Sequence, residues 1–180
     1  MNSKPYNIIS HKETELGRFV IVQDEIKRND EIFPYSFEKV DDSACVIAFC
    51  NEKIIMIKQY RHALGEWMYE FPGGGLGDDL PEAAVRREMH EETGYLIRRI
   101  GFLGCFPISP GTSSAKVYAY YAECERDCAQ QLDGTEIIEV CEVSREEFEK
   151  MIYDGSFNFL AGIVMWHLFK HKEDEGLLWT

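Results

Sequence analysis

Glycines at positions 73, 74, 75 and 77 separate two segments of opposite character, and that break constrains the fold more than any other feature. Ahead of it, Trp67-Met68-Tyr69-Glu70-Phe71-Pro72 is extended and largely apolar. Behind it, residues 80–93 carry helical spacing, with Val85 and Met89 on one side and charges on the other. Glycines let a backbone pass close to neighbouring groups. The pattern predicts a strand, a glycine loop and a helix, in that order. Asp79 stands three residues before Glu82, as in a capping box, and Pro81 suits a first helical turn. Gly94 is placed to end the helix.

The rest of the chain alternates strands with helices. Ala44 to Cys50 is a short, continuously apolar run, as expected of a central buried strand. After a turn at Asn51-Glu52-Lys53, Ile54 to Tyr60 returns as its hairpin partner. Further strands are predicted at 18–24, 32–39, 97–106, 116–124 and 137–143, with Pro34 marking an edge. Ser144 caps a helix, and a last amphipathic helix covers 159–170. This order predicts an α/β fold, a mixed sheet between helical layers, preceded by an antiparallel β arm.

Composition narrows the function. The 180-residue chain carries 32 acidic and 19 basic residues, a net charge of −13. That argues against a nucleic acid polymer as partner and against an anionic membrane surface. No apolar run reaches the ~18 residues of a membrane span, and Met1 to Ser10 lacks a signal-peptide pattern, so a cytoplasmic location is expected. None of the six cysteines forms a C-x-x-C pair. Cys45, Cys105 and Cys141 are expected in the core. Cys124 and Cys128, four apart in a polar segment, leave a local metal or disulfide role open. His90, His167 and His171 are expected at the surface.

Glu88, Glu91 and Glu92 occupy i, i+3 and i+4 on the predicted helix, about 5–6 Å from one another. Three like charges on one face either form a solvated surface or hold a cation. Hard carboxylate oxygens suit Mg²⁺, with Mn²⁺ as an alternative. Arg87 lies beside them. The glycine loop immediately ahead favours the cation reading.

From Gly73 the chain continues with five residues, Asp79, seven residues and Arg87-Glu88-Met89-His90-Glu91-Glu92-Thr93-Gly94-Tyr95. This resembles the Nudix box, G-x5-E-x7-R-E-U-x-E-E-x-G-U, with Asp79 in place of the first Glu and Tyr95 in place of the aliphatic residue. The resemblance implies a Nudix-type α/β/α sandwich and hydrolysis of a nucleoside diphosphate linked to another group. It implies that Glu88, Glu91 and Glu92, helped by the Pro72 carbonyl, hold Mg²⁺. Glu91 and Arg87 then belong to the catalytic set. Residues 43–180 would form the hydrolase domain and 1–42 a dimer-forming β arm, since similar enzymes are homodimers with exchanged N-terminal strands.

Lys58-Gln59-Tyr60-Arg61, followed by Glu70-Phe71-Pro72-Gly73, is similar to the lead-in of the ADP-ribose (ADP-sugar) pyrophosphatase group. Pro110, 15 residues past Tyr95, matches a proline of that group. Gly134-Thr135-Glu136 resembles its loop with a catalytic glutamate. Glu136 is thus the candidate base, and Glu139 the alternative. The resemblance makes Arg61, Glu70 and Pro110 candidates for substrate binding. The bare backbone of Gly73 and Gly74 can approach a phosphate, Ser113 offers a hydroxyl to a ribose or phosphate, and Phe33, Tyr35 and Phe37 are candidates for stacking on an adenine. Each also has a plainer reading as a surface, turn or packing residue. An ADP-sugar is the expected small-molecule substrate. A GDP-sugar, a dinucleoside polyphosphate, a nucleoside triphosphate and a non-catalytic nucleotide sensor are the alternatives.

Overall fold

The computed structural model describes residues 4–134 and 136–179. The chain divides into two compact units. One comprises residues 1–42 with 107–116, and the other 43–106 with 117–180.

The larger unit is built on a seven-stranded sheet. Its main path runs β10 (Ile138–Val143), β5 (Lys53–Arg61), β4 (Ser43–Cys50), β9 (Lys116–Arg126) and β8 (Tyr95–Pro107). Two short strands join from the side: β6 (Glu66–Glu70) on β5, and β7 (Gly73–Gly75) on β4. β4 and β9 are parallel while β4 and β5 are antiparallel, so the sheet is mixed. The hairpin between β4 and β5 turns through Asn51 (φ 47°) and Glu52 (φ 66°). Two consecutive positive φ values match the twist of the flanking strands.

Period-two alternation along β4 sends its side chains to opposite faces. Cys45 and Ile47 join Phe148 of α2 (Arg145–Asp154) and Met165, Trp166 and Phe169 of α3 (Leu160–Asp174) in one core. Ala44, Val46 and Ala48 join Val85 and Met89 of α1 (Pro81–Thr93) in the other. This unit is therefore an α/β/α sandwich, with α1 against one face and α2 and α3 against the other.

The capping predictions divide. Ser144 and Glu147 make the reciprocal capping box of α2, and Gly94 ends α1 at φ 74°. Asp79 does not cap α1. The N-cap is Leu80, with no side-chain cap, because the Asp79 carboxylate is drawn instead to Arg87.

The smaller unit is a three-stranded antiparallel sheet, β1 (Asn7–Leu16), β2 (Phe19–Arg28) and β3 (Glu31–Lys39). Pro34 lies on β3, an edge strand. β1 is absent from the sequence-based reading. All ten of its residues are exposed, so no buried face imposes an apolar pattern on it. Ser109 to Ser114 folds onto β3, with Glu38 N–H donating to Thr112 O at 2.9 Å and Ser114 N–H to Glu38 O at 3.0 Å.

The described cysteines are all free thiols, Cys124 and Cys128 included. Cys45 is buried as expected, but Cys105 is exposed. It stands near the end of β8, where the burial alternation turns it outward. No helix among the described residues is long and apolar enough to cross a membrane.

Candidate active site

The glycine strand β7 presses the loop against the carboxylate face of α1. Gly73 pairs with Cys45 and Gly74 with Ala44 across the β4–β7 ladder. A Cβ on Gly73 would lie 2.2 Å from the Ala44 carbonyl oxygen. One on Gly74 would lie 2.6 Å from the Glu88 carboxyl carbon. Bare backbone is what admits these neighbours.

Glu92 is buried, at 4% exposure, although it belongs to the face read as charged. Its Oε2 accepts a hydrogen bond from Gly73 N–H at 2.8 Å. Burial pushes its carboxyl up to about 8, the negative charges of Glu88 and Glu136 push the same way, and the Gly73 bond and Arg61 only partly offset this. Burial likewise raises Glu88, against the pull of Arg87. Both effects favour the neutral acid unless positive charge arrives.

Arg87 gathers the carboxylates. Its Nη1 donates to Glu88 Oε1 at 2.8 Å and to Glu91 Oε2 at 3.1 Å. Its Nε donates to Asp79 Oδ2 at 3.0 Å, and its Nη2 to the Gly75 carbonyl at 3.3 Å. Asp79 therefore ties the loop to the helix by an ion pair. These acids hold the Arg87 guanidinium well above its ordinary range, with Asp79 the largest cause.

Pro72 is buried, and its carbonyl accepts the Val46 N–H at 3.0 Å. Arg61 and Glu70, singled out separately from the sequence, meet each other. Arg61 Nε reaches Glu70 Oε1 and Nη2 reaches Glu70 Oε2, each at 2.6 Å. Glu70 is buried and so does not face solvent. The pairing escaped sequence reasoning because the ladder places Arg61 opposite Glu66 and Glu70 opposite Ile57. Only long side chains reaching along the strands connect them.

Glu136 is half-buried, and its charge acts on both Glu88 and Glu92. Its carboxylate also accepts the Asp133 N–H at 3.0 Å, closing the loop on itself. Thr135, beside it, lies outside the described residues. Glu139 is exposed on β10, opposite Lys58.

Pro110 and Ser113 belong to the smaller unit. Pro110 sits in a tight turn, with Thr112 and Ser113 N–H both donating to Ser109 O. The Ser113 hydroxyl accepts the Ala115 N–H at 3.2 Å. Phe33 and Tyr35 are exposed in the same unit, and the Tyr35 hydroxyl donates to Gly111 O at 3.0 Å. His167 and His171 lie at the surface as expected. His90 does not simply face solvent: it meets Asp127 and Cys128.

A mixed sheet between helices, with a glycine strand folded against a helical carboxylate cluster, defines a class of protein. The NUDIX domain family model matches residues 39–162. The chain therefore belongs to the NUDIX family, the Nudix pyrophosphohydrolases. An ADP-ribose pyrophosphatase of Bacillus subtilis (strain 168) is 33% identical over 159 residues, which cover 84% of this chain and 85% of that protein. A GDP-mannose pyrophosphatase of Enterobacter sp. (strain 638) is 29% identical over 173 residues, 88% of each chain. A methanol dehydrogenase activator of Bacillus methanolicus is 36% identical over 123 residues, 63% of this chain and 66% of that one. The chain thus spans just under two thirds of the activator's length. A solved structure described as an ADP compounds hydrolase superposes with a TM-score of 0.85 at 16% identity, covering 99% of this chain and 100% of that one. That likeness concerns the fold.

Proposed function

We propose that this chain hydrolyses the pyrophosphate bond of a nucleoside-diphosphate sugar, with ADP-ribose or a related ADP-sugar as substrate and AMP and a sugar phosphate as products. The observation that carries the reading is Glu92, a carboxylate buried beside Glu88 and within the field of Glu136. Burying acids together opposes their ionisation, so a site built this way suits a divalent cation.

The donor set fits. Glu88, Glu91 and Glu92 offer hard oxygens, as does the second lone pair of the Pro72 carbonyl, and these match Mg²⁺ or Mn²⁺. When bound, the ion supplies neutralisation of pyrophosphate charge and a lowered pKa for water. Gly73 N–H orients Glu92. Arg87, anchored on Asp79 and Gly75, orients Glu88 and Glu91. Glu136 accepts the proton of the attacking water. The N–H groups of Arg61 not spent on Glu70 are available to a phosphate oxygen. The Gly74 backbone is a further candidate for substrate contact, and Pro110 and Ser113 are candidates on the smaller unit. The exposed β1 suits a dimer-forming arm.

The Bacillus subtilis relative favours ADP-ribose, and the Enterobacter relative makes GDP-mannose the second reading. Released product should be followed for ADP-ribose, GDP-mannose and a nucleoside triphosphate, with Mg²⁺ and with EDTA. ADP-ribose should be cleaved with at least a tenfold higher kcat/KM than the others, and EDTA should abolish turnover. Preference for GDP-mannose would transfer the assignment to that substrate. Inactivity on all three would overturn the hydrolytic reading.

A further inference from the structure

His90 lies in the last turn of α1, and Asp127 and Cys128 lie on the segment leaving β9. None of them takes part in the hydrolysis outlined above. His90 Nε2 is 3.1 Å from Asp127 Oδ2 and 3.3 Å from Cys128 Sγ. One ligand atom from each residue lies within 4.8 Å of the others.

Backbone bonds hold this meeting in place. Asp127 and Cys128 both donate N–H to the Gly94 carbonyl, at 2.9 and 3.1 Å, and Gln131 N–H donates to Glu91 O at 2.8 Å. The Gln130 side chain adds a bond to Glu92 O at 2.7 Å. Gly94 permits the approach, since a Cβ there would lie 2.3 Å from the Cys128 carbonyl oxygen. The segment is thus fastened to the end of the helix before any ligand arrives.

We propose that His90, Asp127 and Cys128 form a second metal site, for a borderline ion of the Zn²⁺ type. An imidazole nitrogen, a carboxylate oxygen and a thiolate sulfur select such an ion over Mg²⁺, which prefers the all-oxygen glutamate cluster. The spacing agrees. Bonds of about 2.0–2.3 Å at tetrahedral angles set neighbouring ligand atoms roughly 3.3–3.6 Å apart. Of the distances from His90, the 3.3 Å to Cys128 lies at the lower end of that range and the 3.1 Å to Asp127 just below it, while all three ligand atoms lie within 4.8 Å of one another; side-chain rotations supply the rest.

The helix C-terminus adds partial negative charge, which favours a cation. Three protein ligands leave a fourth position. The Gln131 side-chain nitrogen is 3.7 Å from Cys128 Sγ, and a flip of its amide presents oxygen there instead; otherwise water occupies the place. On binding, Cys128 coordinates as thiolate and its proton passes to solvent, while His90 coordinates as neutral imidazole.

Co²⁺ is the probe, titrated into the full chain with saturating Mg²⁺ so that the glutamate cluster is occupied. One equivalent should produce a thiolate-to-cobalt charge-transfer absorption, which carboxylates cannot give, and Zn²⁺ should displace it. Cys128→Ser should abolish the band. His90→Ala should weaken Co²⁺ binding at least about tenfold, as loss of metal-site partners does elsewhere. Glu92→Gln should leave the band intact. No band, a band surviving Cys128→Ser, or one indifferent to His90→Ala would overturn the site.

Discussion

Arg61 and Glu70 are joined by two hydrogen bonds of 2.6 Å in a fork-to-carboxylate pair whose two ends differ in burial. The Glu70 side chain is 7% exposed and that of Arg61 44%. Removing either partner therefore has unequal consequences. Arg61→Ala leaves a buried carboxylate without its cation, a loss of about 3–5 kcal/mol. Glu70→Ala leaves a guanidinium that can turn to water, and the loss is nearer the ~1.5–3 kcal/mol of a charged hydrogen bond. Urea unfolding of the two variants should show Arg61→Ala as the less stable. The reverse order would mean that the burial of Glu70 is relieved by another group. Arg61→Lys should fall between wild type and Arg61→Ala, because an ammonium cannot reproduce the fork.

Glu92 makes the metal-free protein pH-sensitive in a predictable direction. Its folded value of about 8 lies above the ordinary 4.5. Between these values the folded state binds more protons than the unfolded state, so stability falls as pH rises. The contribution is fully present below about pH 4.5 and is lost as pH passes through about 8, with an amplitude of a few kcal/mol. In EDTA, the Tm of the wild-type chain should drop between pH 5 and 8.5, and that of Glu92→Gln should drop much less. Added Mg²⁺ should restore the wild type most strongly at the alkaline end, since binding needs the deprotonated carboxylate. Equal slopes for both chains in EDTA would show that the buried acid titrates elsewhere. The same variant should lose turnover while remaining folded.

How much of this was legible depended on whether a residue's role was local. α1 was legible because Pro81 and Gly94 act on their own backbone. The buried, central character of β4 followed from its continuous apolar run, and the Ser144 cap from contacts three residues apart. The glycine run announced a close approach, but not that Glu88 is what approaches Gly74. Asp79 reads as a cap from its spacing to Glu82, and only the reach of Arg87 makes it an ion partner instead. β1 left no trace, since its stability comes from ladder bonds to β2 and not from a buried face. Arg61 with Glu70, and His90 with Asp127 and Cys128, depend on register and on distant chain returning to a helix end. Residue spacing does not encode either.

Glu136 is the candidate base by position and Glu139 the alternative, and the structure separates their environments. Glu136 is half-buried and raises the carboxyls of both Glu88 and Glu92. Glu139 is exposed on β10 across from Lys58. Glu136→Gln keeps an oxygen able to accept the Asp133 N–H, so the loop geometry survives while the proton acceptor is lost. Loss of a general base costs about 10²- to 10⁴-fold, and kcat should fall by that factor with KM little changed. Mg²⁺ affinity should hold, because the three glutamates of α1 remain. With one negative charge gone, the Glu92 carboxyl should also ionise at lower pH, visible as a smaller alkaline loss of Tm in EDTA. Glu139→Gln should leave kcat within about twofold of wild type. If Glu139→Gln is the slow variant instead, the proton acceptor sits on β10 and the loop glutamate serves only to close its own turn.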